Sequence, residues 1–163
     1  MISSSALTIR WLPPDIEEER WEFFSHPAKQ GWYRSHFVTW ERVVFRFESG
    51  RLVPYPRSGR IGEIPVYLSY HCYEDYRNYL ARARRGYRRN YSRMEDDLQS
   101  AGNLALKAPI ILTSNGDALL FSGYRRLCLA WNYGMIPFVW LVEIPGAVEN
   151  SEIDLQAADI NNE

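Results

Sequence analysis

The sequence predicts an α/β (α+β) protein: a small mixed sheet with flanking helices, preceded by an aromatic-rich N-terminal extension. Three observations carry that expectation. Residues 109–113 and 118–121 are short runs rich in Ile, Leu and Phe, joined by Ser114-Asn115-Gly116-Asp117. Asn-Gly between apolar runs is the strongest short hairpin signal, because both central residues of a tight hairpin turn need positive φ. Next, Tyr124, Leu127, Cys128 and Trp131 recur at i, i+3, i+4 and i+7, the period of a helix with one apolar face. Finally, residues 136–144 are apolar without alternation, as in a strand covered on both sides.

An apolar fraction of 46% over 163 residues suffices for one domain-sized core. The chain divides into an extension (1–60), the domain (61–146) and an acidic tail (147–163). Taken in order, residues 7–12 read as a short strand ended by Pro13-Pro14. Asp15 can cap a short acidic helix over 16–24, which His26-Pro27 breaks. Residues 31–48 hold Trp32, Tyr33, Phe37, Trp40, Phe45 and Phe47. Within them Val43-Val44-Phe45-Arg46-Phe47 reads as a strand, and the turn at Ser49-Gly50 suggests a hairpin over 43–55. These aromatics read as a core with a protein-facing surface, or alternatively as a base-stacking platform.

The polar loop at 56–63 is the best internal boundary. Residues 64–70 read as a strand. Residues 74–91 read as a helix whose buried stripe is Tyr76, Leu80, Ala83, Tyr87 and Tyr91. A second, shorter helix is expected over 94–102, opened by Glu95-Asp96-Asp97. Ser122 is the expected N-cap of the 124–133 helix, Gly123 permits the sharp bend, and Gly134 is the expected stop before Pro137.

No run of about 18 apolar residues occurs, so no membrane span is expected. Residues 1–5 lack the basic and apolar regions of a secretory leader. Cys72 and Cys128 have neither metal-ligand spacing nor disulfide density, and both read as buried thiols of a cytoplasmic protein. His26, His36 and His71 form no zinc pattern. The net charge is −1, but seven arginines lie between Arg77 and Arg93, while residues 143–163 hold six acids and no Lys or Arg. Such blocks suggest a basic face and a solvated acidic tail.

Two stretches are candidate sites. At a helix start, outward-pointing amides and the dipole favour an anion. Ser122, Gly123, Tyr124, Arg125 and Arg126 therefore form a candidate phosphate cradle: the glycine allows close approach and the arginines offer bidentate donors. The second candidate is the arginine-rich helix. Arg82, Arg85, Arg88, Arg89 and Arg93, interleaved with tyrosines, suit a nucleic-acid backbone. The competing reading of each is ordinary solvated arginine.

The order Pro109-Ile110-Ile111, Gly123, Arg125-Arg126, Leu127, Ala130, Gly134, Ile136-Pro137 resembles the signature of the ParB/sulfiredoxin family. The resemblance covers residues 94–144, most closely over about the last 40. It implies a small mixed α/β fold and phosphate recognition at the glycine–arginine turn. Sulfiredoxins carry a catalytic cysteine after this glycine; here Tyr124 stands there and Arg125 replaces the following histidine, which argues against that chemistry. Chromosome-partitioning members carry Glu before the two arginines, and Tyr124 departs from this too. Members acting as small-molecule kinases need a carboxylate near the phosphates, for which Glu74, Asp75, Glu95, Asp96 and Asp97 are candidates.

The resulting expectation is a protein that binds a nucleotide or DNA through phosphate, with phosphoryl transfer or nucleotide hydrolysis as the reaction class if it is an enzyme. Mg²⁺ carried with the nucleotide is the one cofactor implied, and no dedicated metal site is read from the residues. The alternative is a non-catalytic regulator of phage or plasmid type that uses its aromatic N-terminal half to bind a protein partner or form a homodimer.

Overall fold

The computed structural model describes residues 7–57, 60–67 and 85–145, with backbone alone for 85–90. A curled six-stranded mixed sheet forms its centre. Its strands are β2 (Arg51–Pro54), β3 (Arg60–Ile61), β4 (Ile64–Tyr67), β6 (Ile110–Ser114), β7 (Asp117–Ser122) and β8 (Phe138–Glu143), in the order β2-β8-β6-β7-β4-β3. β6 and β7 form the expected hairpin. Asn115 (φ 52) and Gly116 (φ 81) both occupy the left-handed region that such a turn requires. β6 and β8 pair in parallel, as do β7 and β4. A separate two-stranded parallel sheet pairs β1 (Thr8–Leu12) with β5 (Asn103–Lys107).

Both faces of the central sheet are covered, which explains its non-alternating apolar strands. On one side Ile111, Leu120, Val139 and Leu141 meet Tyr91 and Leu98 of helix α4 (Arg85–Ala101) and Tyr124, Leu127 and Cys128 of helix α5 (Tyr124–Asn132). On the other, Ile110, Leu112, Leu119, Phe121, Val142 and Ile144 pack against Phe23, Tyr33, Trp40, Val43 and Phe47. These come from helices α1 (Arg20–Ser25), α2 (Pro27–Ser35) and α3 (Trp40–Phe47). A single-turn 3₁₀ helix, Ile16–Glu19, leads into α1. Thus the described part of segment 1–60 supplies β1, the edge strand β2 and the layer covering one face.

Several expectations need correction. The strand expected at 43–47 is helix α3. Thr39 caps it, its hydroxyl accepting from the Arg42 amide at 3.2 Å. Trp40, Val43 and Phe47 then share the buried face, whereas Phe45, which a strand would put on the same side as Val43 and Phe47, is exposed. Helical spacing of the core contacts overrides the β preference of Val and Phe. The 43–55 hairpin is accordingly absent, and β2 pairs with β8 instead.

The two helices expected over 74–91 and 94–102 are, where described, one continuous helix from Arg85 to Ala101. Ser92 and Arg93 contain no glycine or proline to stop it. Glu95-Asp96-Asp97 therefore lie inside a helix, and residues 74–84 are outside the described residues. The helix stops before Gly102 (φ 76). His26-Pro27 ends α1 as expected, but Pro27 also opens α2, since proline suits the first helical position. Neither α2 nor β5 was expected. The strand expected over 64–70 is described from Ile64 to Tyr67. Leu129, placed off the buried face of α5 by its spacing, is fully buried, so more than one side of that helix is covered.

Candidate functional site

The first turn of α5 joins the end of β7 at Gly123. Gly123, not Ser122, is the N-cap, with φ 102. A Cβ there would lie 2.5 Å from Pro109 Cβ, so a glycine is needed both for the backbone turn and for close packing on Pro109. Ser122 closes β7 and is buried. Tyr124 is buried in the core beneath α5, which removes its ring from the cradle. Of the five expected cradle residues, the backbone of the first turn and the side chains of Arg125 and Arg126 are therefore what an anion could use.

Arg126 is half-buried. Its Nη1 donates to the Lys107 carbonyl, tying α5 to the end of β5. Burial disfavours its charged form, Glu19 and Glu22 favour it, and the neighbouring Arg125 disfavours it again. The pKa of Glu19 is in turn raised by burial, an effect that Arg126 and the Ser122 hydroxyl oppose and that Glu22 and Glu18 reinforce. The acidic turn of residues 16–19 thus lies against the cationic start of α5. Lys107 Nζ reinforces this docking with bonds of 2.7 Å to both carboxylate oxygens of Glu18.

Beneath the turn lies a buried cation that the sequence did not disclose. Lys29 is 2% exposed. Its Nζ donates to the Phe121 carbonyl at 2.7 Å and to Glu22 Oε1 at 3.1 Å. Glu22 Oε1 also receives His26 Nε2 at 3.0 Å. Burial lowers the Lys29 pKa, while Glu22 and Glu19 hold it up. Nothing local in the sequence marks Lys29 as interior. In the sequence Glu19 and Glu22 are marked only as residues of a short acidic helix.

A Ser–His–Asp alignment occurs elsewhere. Ser35 Oγ lies 2.9 Å from His36 Nδ1, and His36 Nε2 lies 2.7 Å from Asp117 Oδ2. Nδ1 also lies 2.8 Å from the Trp32 carbonyl, which can only accept, so Nδ1 must carry a proton. A protonated Nδ1 cannot take the Ser35 proton, and this constellation is a structural tie between α2 and the β6–β7 turn.

The expected carboxylates are elsewhere. Glu95 accepts from the Tyr133 hydroxyl at 2.9 Å, near the C-terminal end of α5. Asp96 and Asp97 are outward on α4, and Glu74 and Asp75 are outside the described residues. Among the described residues no three His, Cys, Asp or Glu side chains gather as a metal site.

Of the second candidate site, Arg93 is exposed on α4 and the backbones of Arg85, Arg88 and Arg89 share that helix. Arg82 is outside the described residues. Tyr33, Trp40 and Phe47 are core residues, and the half-buried Trp32 packs against them, stacked on His36 at 4.2 Å. Cys128 is buried, and no described helix is long and apolar enough to cross a membrane. The chain matches no family model, no curated protein and no solved structure.

Proposed function

We propose that the chain is a cytoplasmic phosphate-recognising protein that binds a nucleotide or nucleic acid at the first turn of α5. The observation that supports this reading is the convergence of like charge. Arg125 and Arg126 stand side by side at the positive end of a helix dipole, and burial and Arg125 both disfavour charge on Arg126. Such an arrangement calls for an anion. Within the chain Glu19 and Glu22 act in that capacity, and a phosphate carries more charge and more acceptors than either. The ParB/sulfiredoxin resemblance adds its own expectation of phosphate at the same glycine–arginine turn. Mg²⁺ would arrive with the nucleotide.

The test is calorimetric titration with nucleoside di- and triphosphates plus Mg²⁺, using the wild type and the Arg125→Ala/Arg126→Ala variant. Micromolar binding that disappears in the variant supports the reading. Absence of binding by a folded protein removes it. Phosphoryl transfer or nucleotide hydrolysis would be assayed with whichever nucleotide binds.

A second reading is favoured by a different observation. Trp21 is 72% exposed and Phe24 57% exposed, one turn apart on α1. Large exposed aromatics of this kind anchor protein interfaces. This is the non-catalytic interaction protein, of phage or plasmid type, with its partner surface on α1.

A further inference from the structure

We infer that the open groove on α1 binds a basic peptide segment of a partner protein, one bearing arginine or lysine. The inference rests on the second reading above and adds the chemistry of the occupant. The groove has a volume of about 600 Å³ and is lined by Glu17, Glu18, Arg20, Trp21 and Phe24. Its aromatic floor is exposed and its rim is acidic.

Three features select a cationic guest. Arg20 already stands over the Phe24 ring at 5.3 Å, so one aromatic face of this groove holds a guanidinium. Trp21 offers the better ring for the same contact. Glu18 is engaged by Lys107, whereas Glu17 is an exposed carboxylate that no described cation holds. Charge decides among guests. Of the acids near Trp21 in sequence, Glu18, Glu19 and Glu22 already face Lys107, Arg126 and Lys29, which leaves Glu17 as the groove's carboxylate without a described counter-charge. A neutral apolar partner would bury Glu17 without counter-charge, which is costly. An acidic partner or a nucleic-acid backbone would be repelled. A segment carrying a guanidinium or ammonium group on an apolar stem satisfies the ring and the rim together.

The experiment is calorimetry at low salt with tetra-arginine, tetra-glutamate and a neutral Gly-Leu-Leu-Gly peptide, on the wild type, Trp21→Ala and Glu17→Gln. Both side chains are exposed, and circular dichroism and melting confirm that the variants are folded. The expected result is binding of tetra-arginine alone, weakened roughly fivefold to tenfold by each substitution. Failure to bind tetra-arginine, or binding that neither substitution weakens, overturns the inference. Neutral-peptide binding that depends on Trp21 also overturns it, while leaving the partner-binding reading in place. No Trp21-dependent binding of any peptide removes both. A Trp21-dependent dimer in light scattering would replace the foreign segment with a second copy of the chain.

Discussion

Lys29 Nζ donates to the Phe121 carbonyl at 2.7 Å, joining residues 92 positions apart in sequence. This bond fastens α2 to the end of β7, immediately before the strand turns into α5. The same ammonium holds Glu22 of α1 at 3.1 Å. The buried cation therefore links the helical layer to the strand that delivers the candidate phosphate site.

Breaking that link is expected to be costly. Lys29→Ala leaves the Phe121 carbonyl and much of Glu22 without their donor and should destabilise by about 3 kcal/mol. Lys29→Met combined with Glu22→Gln should cost less than the sum of the two single changes, because no unbalanced charge remains. Denaturant unfolding of the four proteins measures this. Strict additivity would contradict a direct coupling.

Gly123 should tolerate no side chain. Gly123→Ala meets both the positive φ and the Pro109 contact, and should destabilise by roughly 2 kcal/mol or more. Thermal unfolding is the check. A variant as stable as the wild type would show that β7 and α5 can join in another way.

Glu19 gives the protein a pH dependence whose sign is fixed. Burial raises its pKa in the folded chain above the ordinary 4.5, so the fold binds this proton more tightly than the unfolded chain does. The corresponding stability is fully present below 4.5 and is lost as pH rises through the folded value. Glu19→Gln should flatten this part of the stability profile. Lys29 acts in a different window. Its lowered pKa makes stability rise with pH between the folded value and 10.5. Urea midpoints across pH, with and without each side chain, separate the two effects.

His36 Nδ1 should carry a proton, donated to the Trp32 carbonyl. Ring nitrogen shifts in NMR report this directly. A bare Nδ1 would contradict the assignment and restore Ser35 as a candidate nucleophile. Ester hydrolysis dependent on Ser35 would do the same.

The C-terminal half was legible because its signals are local. Asn115-Gly116 sets a hairpin turn through backbone conformation alone. Gly134 (φ 70) likewise follows the end of α5, and helical spacing marks Tyr124, Leu127 and Cys128 as interior. The N-terminal half was harder because its elements are decided by distant partners. Val43 and Phe47 fit a strand or a helix, and only packing against Val142 and Ile144 on the sheet selects the helix. β5 carries an alternation, half-buried at Leu104 and Leu106, but becomes a strand by pairing with β1 almost a hundred residues earlier. The arginines of the candidate site were visible in sequence. The carboxylates that answer them were not, because Glu19 and Glu22 reach them only through the docking of α1 and its preceding turn.

The most direct test of phosphate recognition follows backbone amide resonances while inorganic pyrophosphate is added to the wild-type protein. Saturable shifts are expected, centred on the amides of Tyr124, Arg125 and Arg126 and accompanied by a response at Glu19 as its counter-charge role is displaced. Shifts confined to other residues, or none at these amides at millimolar pyrophosphate, would contradict it.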